Sequence, residues 1–447
     1  MHPPKAVEAR VRDLVLLAAM LVFVPMAFNL AFAGFLLWGW SGLMALNSYM
    51  FGFMAAVPFV QLFALVTMAS VLLKRDPLML PFESNRTLVL FWVFVAHGLF
   101  CAVLAYPGLE RNWELFGNVA KTVLFCSFMP MLVTSRLRIH ALVVMIVIAT
   151  SFHGALDGLK FIASGGGHNA QAIPKFGDNN HLAMVLLMVV PLAYYLVLNS
   201  KSRLARLGFT AAIVLTVLAV VATHSRGGLI GLFAVAFWIV MHGRRKVWGL
   251  VLIVLCGFLV LKMAPESWSD RMGTIQEADA DQSFMERVTA WKVSSAIALA
   301  HPVFGGGFRA VQSHPVWDKY AHSQGILGFV DSPVIERSGV AAHSLWFELM
   351  GDLGFVGLFL FVALLVNAFL TRRAIWRLVN EQGVQARWAG DLADMLGASL
   401  FVYMVTGSSL SVAYFELPYI CMMVMEVVRL QLVRQARATS GLTAGGG

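Results

Sequence analysis

Arg226, Arg287 and His343 are the residues whose type and setting best suit chemistry in this sequence. Arg226 stands in Thr223-His224-Ser225-Arg226-Gly227-Gly228, a tight break between two apolar runs. The two glycines there let another group approach the backbone closely. The arginine reads as an anion clamp or as a helix-end residue snorkelling to the membrane surface. Ser283-Phe284-Met285-Glu286 fits a capping box, which predicts a helix over 284–300 that ends before His301-Pro302. Arg287 falls in its first turn, where free N–H groups already make the potential positive. A guanidinium there adds a planar fork suited to phosphate oxygens, against the competing reading of a solvated helix face. Phe284, Val288 and Trp291, at i, i+4 and i+7, predict an amphipathic helix whose apolar stripe lies on the membrane surface. His343 opens the apolar run that begins at Ser344. A helix N-terminus disfavours imidazolium, so this histidine is expected to stay neutral and able to accept a proton; a structural role is the alternative.

Other groups stand near these in the chain. Glu348 and Asp352 are spaced i, i+4 and, being costly in lipid, must face protein or a wet cavity. Gly351, Gly354 and Gly357 recur every three residues and read as helix-packing contacts. Asp178 and Asn179, in Gly177-Asp178-Asn179-Asn180, are expected to cap the following helix. Arg271 and Arg309 are further cations of the same polar stretch. His153 and Asp157 have the spacing of a proton relay along one helix. Asp279-Ala280-Asp281 matches the short pattern that holds a divalent ion in some glycosyltransferases. Acidic residues before a helix are also expected on dipole grounds, and no metal is assigned to them.

The elements that must position these residues are membrane helices. Of 447 residues 59% are hydrophobic and 13% charged, against about 25% charged in soluble proteins. Apolar runs recur along the chain, the signature of an all-α polytopic membrane protein. Spans are expected at 55–73, 87–106, 113–133, 139–162, 181–198, 208–222, 227–242, 247–264, 344–370, 392–410 and 415–430. The net charge of +9 is concentrated in every second loop, which marks the cytoplasmic face and argues against nucleic acid as a partner. With 14–46 counted as one crossing plus a re-entrant half-helix, about 12 spans result with both termini inside. The chain divides into an N-terminal bundle, 1–264, a large periplasmic loop, 265–343, C-terminal helices, 344–433, and a disordered tail, 434–447. Loops as long as that one, roughly eighty residues, are usually functional. The four cysteines read as buried thiols, and no cleavable signal is evident.

Together these stretches resemble the O-antigen ligase and polymerase superfamily of GT-C-type membrane glycosyltransferases. The resemblance rests on Ser225-Arg226-Gly227-Gly228, on Arg287-x3-Trp291 with His301-Pro302-Val303-Phe304-Gly305-Gly306-Gly307, and on His343-Ser344-x3-Glu348-x2-Asp352-x-Gly354. Arg12-Asp13-Leu14, Gly177-Asp178-Asn179-Asn180, Arg271-Met272-x-Thr274-Ile275 and Ala342-His343-Ser344 are closer to the O-glycosylation ligases associated with the exosortase A system. Asp352 departs from the pattern, where Glu is expected.

The resemblance implies an enzyme of the bacterial inner membrane with its active site facing the periplasm. It would take a glycan from undecaprenyl diphosphate and pass it to a hydroxyl of lipid A core, a protein or a glycan. On this scheme Arg226, Arg271 and Arg287 neutralise the diphosphate, His343 is the base, and Arg309, Glu348, Asp178 and Asn179 support them. The attack is direct and inverting, and no metal or cofactor is required. A polymerase extending lipid-linked glycan is the near alternative. A flippase or transporter is the distant one, which would place several charges at mid-membrane and often shows inverted repeats, whereas here most outer-face charges cluster in loops and at helix ends and no repeat is visible.

Overall fold

The computed structural model describes residues 6–50, 52–74, 76, 78–242, 246–263, 282–332 and 339–444. Arg271, Asp279 and Asp281 lie outside them. The described residues are helical throughout: α1 (Ala6–Asn29), α2 (Ala31–Leu43), α3 (Phe59–Leu73), α4 (Arg86–Val103), α5 (Asn112–Leu132), α6 (Arg136–Ala163), α7 (Asn179–Asn199), α8 (Arg203–Ala222), α9 (Arg226–His242), α10 (Lys246–Met263), α11 (Gln282–Ala300), α12 (His314–Tyr320), α13 (Leu345–Gln382), α14 (Arg387–Gly407) and α15 (Glu416–Ala444). Among the described residues, α4 to α8 and the stretch Leu345–Gly407 are long and apolar enough to cross a membrane. The chain is a multi-pass membrane protein.

Short polar caps start these helices where the sequence supplies Asn, Ser or Asp. Asn85 Oδ1 accepts from Leu88 N–H at 2.9 Å, Ser135 Oγ from Arg138 N–H at 3.3 Å, and Asp178 Oδ1 from His181 N–H at 2.8 Å. The centre of the bundle is α7, buried without interruption from Leu182 to Leu196, as a helix apolar on every side should be. Polar contacts between helices are few. Ser399 Oγ donates to Met188 C=O at 2.6 Å, and Asn367 Nδ2 to Thr87 Oγ1 at 2.8 Å. At the end that carries the basic loops, Arg372 pairs with Asp394 at 2.7 Å, and Arg138 pairs with Asp76 at 2.8 Å.

Residues 14–46 fall in two helices, α1 and the shorter α2, joined at Leu30, whose backbone is extended (φ −127°). Arg138 lies over Phe32, and Asp13 accepts a long 3.5 Å contact from Met54 N–H. Two expectations are corrected. The expected disordered tail, 434–447, is helical as far as Ala444, with Arg434 paired to Glu83 at 2.9 Å. Finally, α11 is no surface helix. Val288, Val293 and Ile297 are buried, and Trp291 stacks on Phe347 of α13 at 5.1 Å with rings 7° apart. The helix falls where the capping box put it, but it packs against protein because Gly351 of α13 lets it come close: a Cβ there would meet Ser294 Cα at 3.2 Å.

The third glycine-spaced expectation changes meaning. Gly354 does not pack a straight helix; at φ +70° it breaks α13. A break strands the carbonyls that the following N–H groups would have taken. Each is satisfied from elsewhere: Gly306 N–H donates to Gly351 C=O at 2.9 Å and Gly307 N–H to Asp352 C=O at 3.0 Å. His97 Nε2 lies 3.0 Å from Leu353 C=O, which fixes the proton on Nε2. In return Phe355 N–H donates to Pro302 C=O at 2.9 Å. The His301–Gly307 segment thereby replaces one turn of helix.

Gly354→Ala puts a Cβ 2.7 Å from Pro302 C=O at a backbone angle side chains rarely adopt, and a strained residue of this kind costs about 1–3 kcal/mol. His97→Leu strands the Leu353 carbonyl at a cost of about 1–3 kcal/mol. Both variants should unfold at lower temperature than the parent in detergent. A Gly354→Ala protein as stable as the parent would show that the helix passes unbroken.

Candidate functional site

The broken turn of α13 carries the two acids. Glu348 and Asp352, spaced to share one helix face, are both buried, at 3% and 0% exposure. Glu348 Oε2 accepts from Ala413 N–H at 3.0 Å, and Asp352 Oδ2 accepts from Tyr414 Oη at 2.9 Å. Both acids therefore grip the connection between α14 and α15. That connection has further ties to the same region: Trp346 Nε1 donates to Ser408 Oγ at 2.9 Å, and Tyr419 Oη donates to Ala413 C=O at 2.8 Å. Tyr403 Oη closes it by donating to Val412 C=O at 3.0 Å.

His343 sits on this connection. Its backbone N–H donates to Ser411 Oγ at 3.0 Å, and its backbone is left-handed, at φ 44°. The residue precedes Ser344, the N-cap of α13, whose side chain makes no capping bond. From α11, Trp291 Nε1 donates to Ala342 C=O at 2.7 Å, which holds the strand leading into the histidine. The imidazole is held below the usual histidine range first by burial and then by the Arg287 charge, with Asp178 acting in the opposite sense. Burial, rather than the helix N-terminus, is the main cause, and the cation beside the ring is Arg287.

Arg287 is half-buried in the first turn of α11. Arg226 is exposed and opens α9. Its corner is tied to the cap of α7, because Ser225 Oγ donates to Asn180 Oδ1 at 2.6 Å. Ser225 Oγ also accepts from Gly228 N–H at 2.9 Å. The space beside Gly228 is filled by the chain's own Ala183 and Val220, so that glycine serves packing; Gly227 has only Ser225 and Ser409 hydroxyls near it. Asp178 caps α7, and Asn179 Oδ1 accepts from Ala172 N–H at 3.0 Å, so both hold the 170–180 loop. His153 and Asp157 do not form the expected pair: His153 Nδ1 meets Tyr49 Oη, and Asp157 takes His168 at 3.0 Å and Lys160 at 3.2 Å.

Arg309 is brought to the same region as Glu348. It stands in the left-handed region at φ 60°, just after the glycine run, and lines a cavity of about 520 Å³. Helices α2, α5 and α15, the 174–177 segment, the 408–415 connection and Glu348 form most of its wall. Sequence reasoning missed both the 408–415 connection and this cavity. The first is a short Ser- and Tyr-bearing boundary between apolar runs, and the second gathers residues far apart in the chain.

Arg287→Gln should raise the His343 pKa and Asp178→Asn should lower it further, as followed by NMR titration of labelled histidine, with His343→Ala for assignment. Because the folded value lies below the unfolded one of about 6.5, the unfolded chain takes up the proton first. The His343 contribution to stability is therefore lost as pH falls below that value. An unchanged titration in Arg287→Gln would remove the electrostatic link between the two residues.

Residues 211–362 match a family model described as O-antigen ligase, and residues 11–228 match one described as a family of unknown function (DUF5935). No curated protein matches the chain. The first match holds Arg226, Arg287, Arg309, His343, Glu348 and Asp352, while Asp178 and the cavity wall from α2 and α5 lie in the second. Residues 211–362 thus carry a match to the O-antigen ligase domain, which supports the O-antigen ligase superfamily.

Proposed function

We propose that the protein is a membrane glycosyltransferase that moves a glycan from undecaprenyl diphosphate to an acceptor hydroxyl at the periplasmic face of the bacterial inner membrane. The observation that carries the reading is the neutral, half-buried His343 under the influence of Arg287, inside the O-antigen ligase domain. A base that must take a hydroxyl proton near neutral pH needs a depressed or ordinary histidine pKa. A nearby guanidinium supplies both that depression and a partner for an anionic leaving group.

In this mechanism the acceptor oxygen attacks the anomeric carbon, and its proton passes to a ring nitrogen of His343. The bond from that carbon to the diphosphate oxygen breaks with inversion, and the electron pair leaves on undecaprenyl diphosphate. Arg226 and Arg287 neutralise the departing charge; Arg271, outside the described residues, is assigned the same role. Glu348 and Asp352 act as positioning residues, because they fix the connection whose Ser411 receives the His343 N–H. No metal enters the scheme. The acceptor is lipid A core, a protein or a growing glycan.

Arg226→Ala and Arg287→Ala should each lower transfer in a purified system by about ten- to a hundredfold, the range of a lost charged hydrogen bond of about 1.5–3 kcal/mol. Lysine at either position should restore only part of it. Transfer should persist in excess EDTA. His343→Gln should lose about 10²–10⁴-fold while still retaining labelled donor. Near-parental rates in both alanine variants, or in His343→Gln, would contradict the assignment; EDTA sensitivity reversed by Mg²⁺ or Mn²⁺ would revive Asp279 and Asp281.

A further inference from the structure

The cavity beside the proposed base has a charge pattern that the diphosphate scheme does not use. Arg111, Lys121, Lys175 and Arg309 line it together with Glu348 and Glu416. Most of these charges are already matched. Arg111 pairs with Glu114 at 2.7 Å, Lys175 pairs with Glu416, and Glu348 takes the Ala413 N–H. Lys121 and Arg309 form no direct salt bridge among the described residues, although the Arg309 charge acts at longer range on Glu348 and Glu114, and Lys121 on Glu114. Arg309 Nη1 reaches only the Gln312 amide, at 3.2 Å, and its Nε is buried with no hydrogen-bond partner.

Lys121, an exposed side chain, stands well inside α5. It lies nine residues beyond the first residue of α5, about 14 Å along the helix at 1.5 Å per residue. A lysine at such depth in a membrane-crossing helix is costly unless it faces water, a counter-charge or a ligand. Here it faces the cavity. The lower wall is apolar and aromatic, with Trp38 edge-on to Phe125 at 5.1 Å. The volume falls within the range of about 300–1,000 Å³ of ligand pockets. Its near edge is Ser411, the residue that receives the His343 N–H. Arg287, the cation that biases His343, is not part of the lining. The histidine backbone is thus tied to the cavity lining at Ser411, while the cation that biases its ring is not part of that lining.

We propose that this cavity is the acceptor subsite and that it takes a sugar bearing an anionic group, a carboxylate or a phosphate, held by Lys121 and Arg309. The inference rests on the glycosyl-transfer reading given above. The aromatic wall covers the apolar face of the sugar ring, and the two cations select the acid substituent. The hydroxyl to be glycosylated then lies at the Ser411 edge, within reach of the base. Acceptors without an acidic group would bind poorly.

The test uses the full chain in detergent, carrying Asn118→Cys on the cavity wall and Cys256→Ala; Cys101, Cys126 and Cys421 are buried. The rate of labelling by an anionic methanethiosulfonate is measured with glucuronate, glucose 6-phosphate, glucose or inorganic pyrophosphate present. Either acidic sugar is expected to slow labelling at least tenfold, its identity naming carboxylate or phosphate, while glucose does not. Lys121→Gln and Arg309→Gln should each abolish protection, and Lys121→Arg and Arg309→Lys should keep it. Equal protection by glucose, protection by pyrophosphate alone, or protection indifferent to both glutamine variants would overturn the proposal. Labelling needs no turnover. An active enzyme without protection would therefore sink the subsite alone, and protection in an enzyme that transfers nothing would sink the functional reading alone.

Discussion

The break of α13 at Gly354 is the constraint from which the site follows. Inside a bilayer a helix cannot abandon its hydrogen bonds unless protein replaces them. Here the replacement is complete for the three stranded carbonyls: two backbone N–H groups of the glycine run, and one imidazole from α4. The glycines are needed because the segment must come within contact of the helix backbone. A Cβ on Gly305 would lie 2.5 Å from Asp352 C=O. One interaction thus fixes both the polar stretch after α11 and the helical turn that carries Glu348 and Asp352.

From that turn the order passes outward by hydrogen bonds. The two acids hold the α14–α15 connection, the connection holds the His343 backbone, and α11 holds the residue before it through Trp291. Placing acids in such buried positions is expensive, and each is matched by a donor rather than left to solvent. The histidine itself is less enclosed and lies near Arg287 and Asp178, which pull its protonation in opposite directions. The arrangement separates a rigid support from a group left free to exchange a proton.

Much of this was legible in the chain. Apolar runs marked the membrane helices, Ser283 to Glu286 located α11, and Asp178 was readable as a cap, because these signals are local. The O-antigen ligase relationship was carried by the order of Arg226, Arg287 and His343. What the sequence hid was long-range. Glycines at 351, 354 and 357 look like a packing stripe, and only the fold separates the contact at Gly351 from the break at Gly354. The 408–415 connection has no motif, since its roles are split between backbone groups of Val412 and Ala413 and the common hydroxyls of Ser408, Ser411 and Tyr414, whose partners lie far off in the chain. The cavity draws Lys121, Lys175 and Arg309 from three distant segments, so no spacing reveals it.

The central claim is that the protein breaks and makes a glycosidic bond rather than moving a lipid-linked glycan intact. The most direct measurement reconstitutes the purified chain in vesicles with radiolabelled glycan on undecaprenyl diphosphate and a hydroxyl-bearing acceptor. Free undecaprenyl diphosphate and labelled acceptor are then followed together. The account predicts that both appear in equal amounts, with the anomeric configuration inverted in the product. Labelled donor that crosses the vesicle membrane unchanged, with neither product formed, would contradict it.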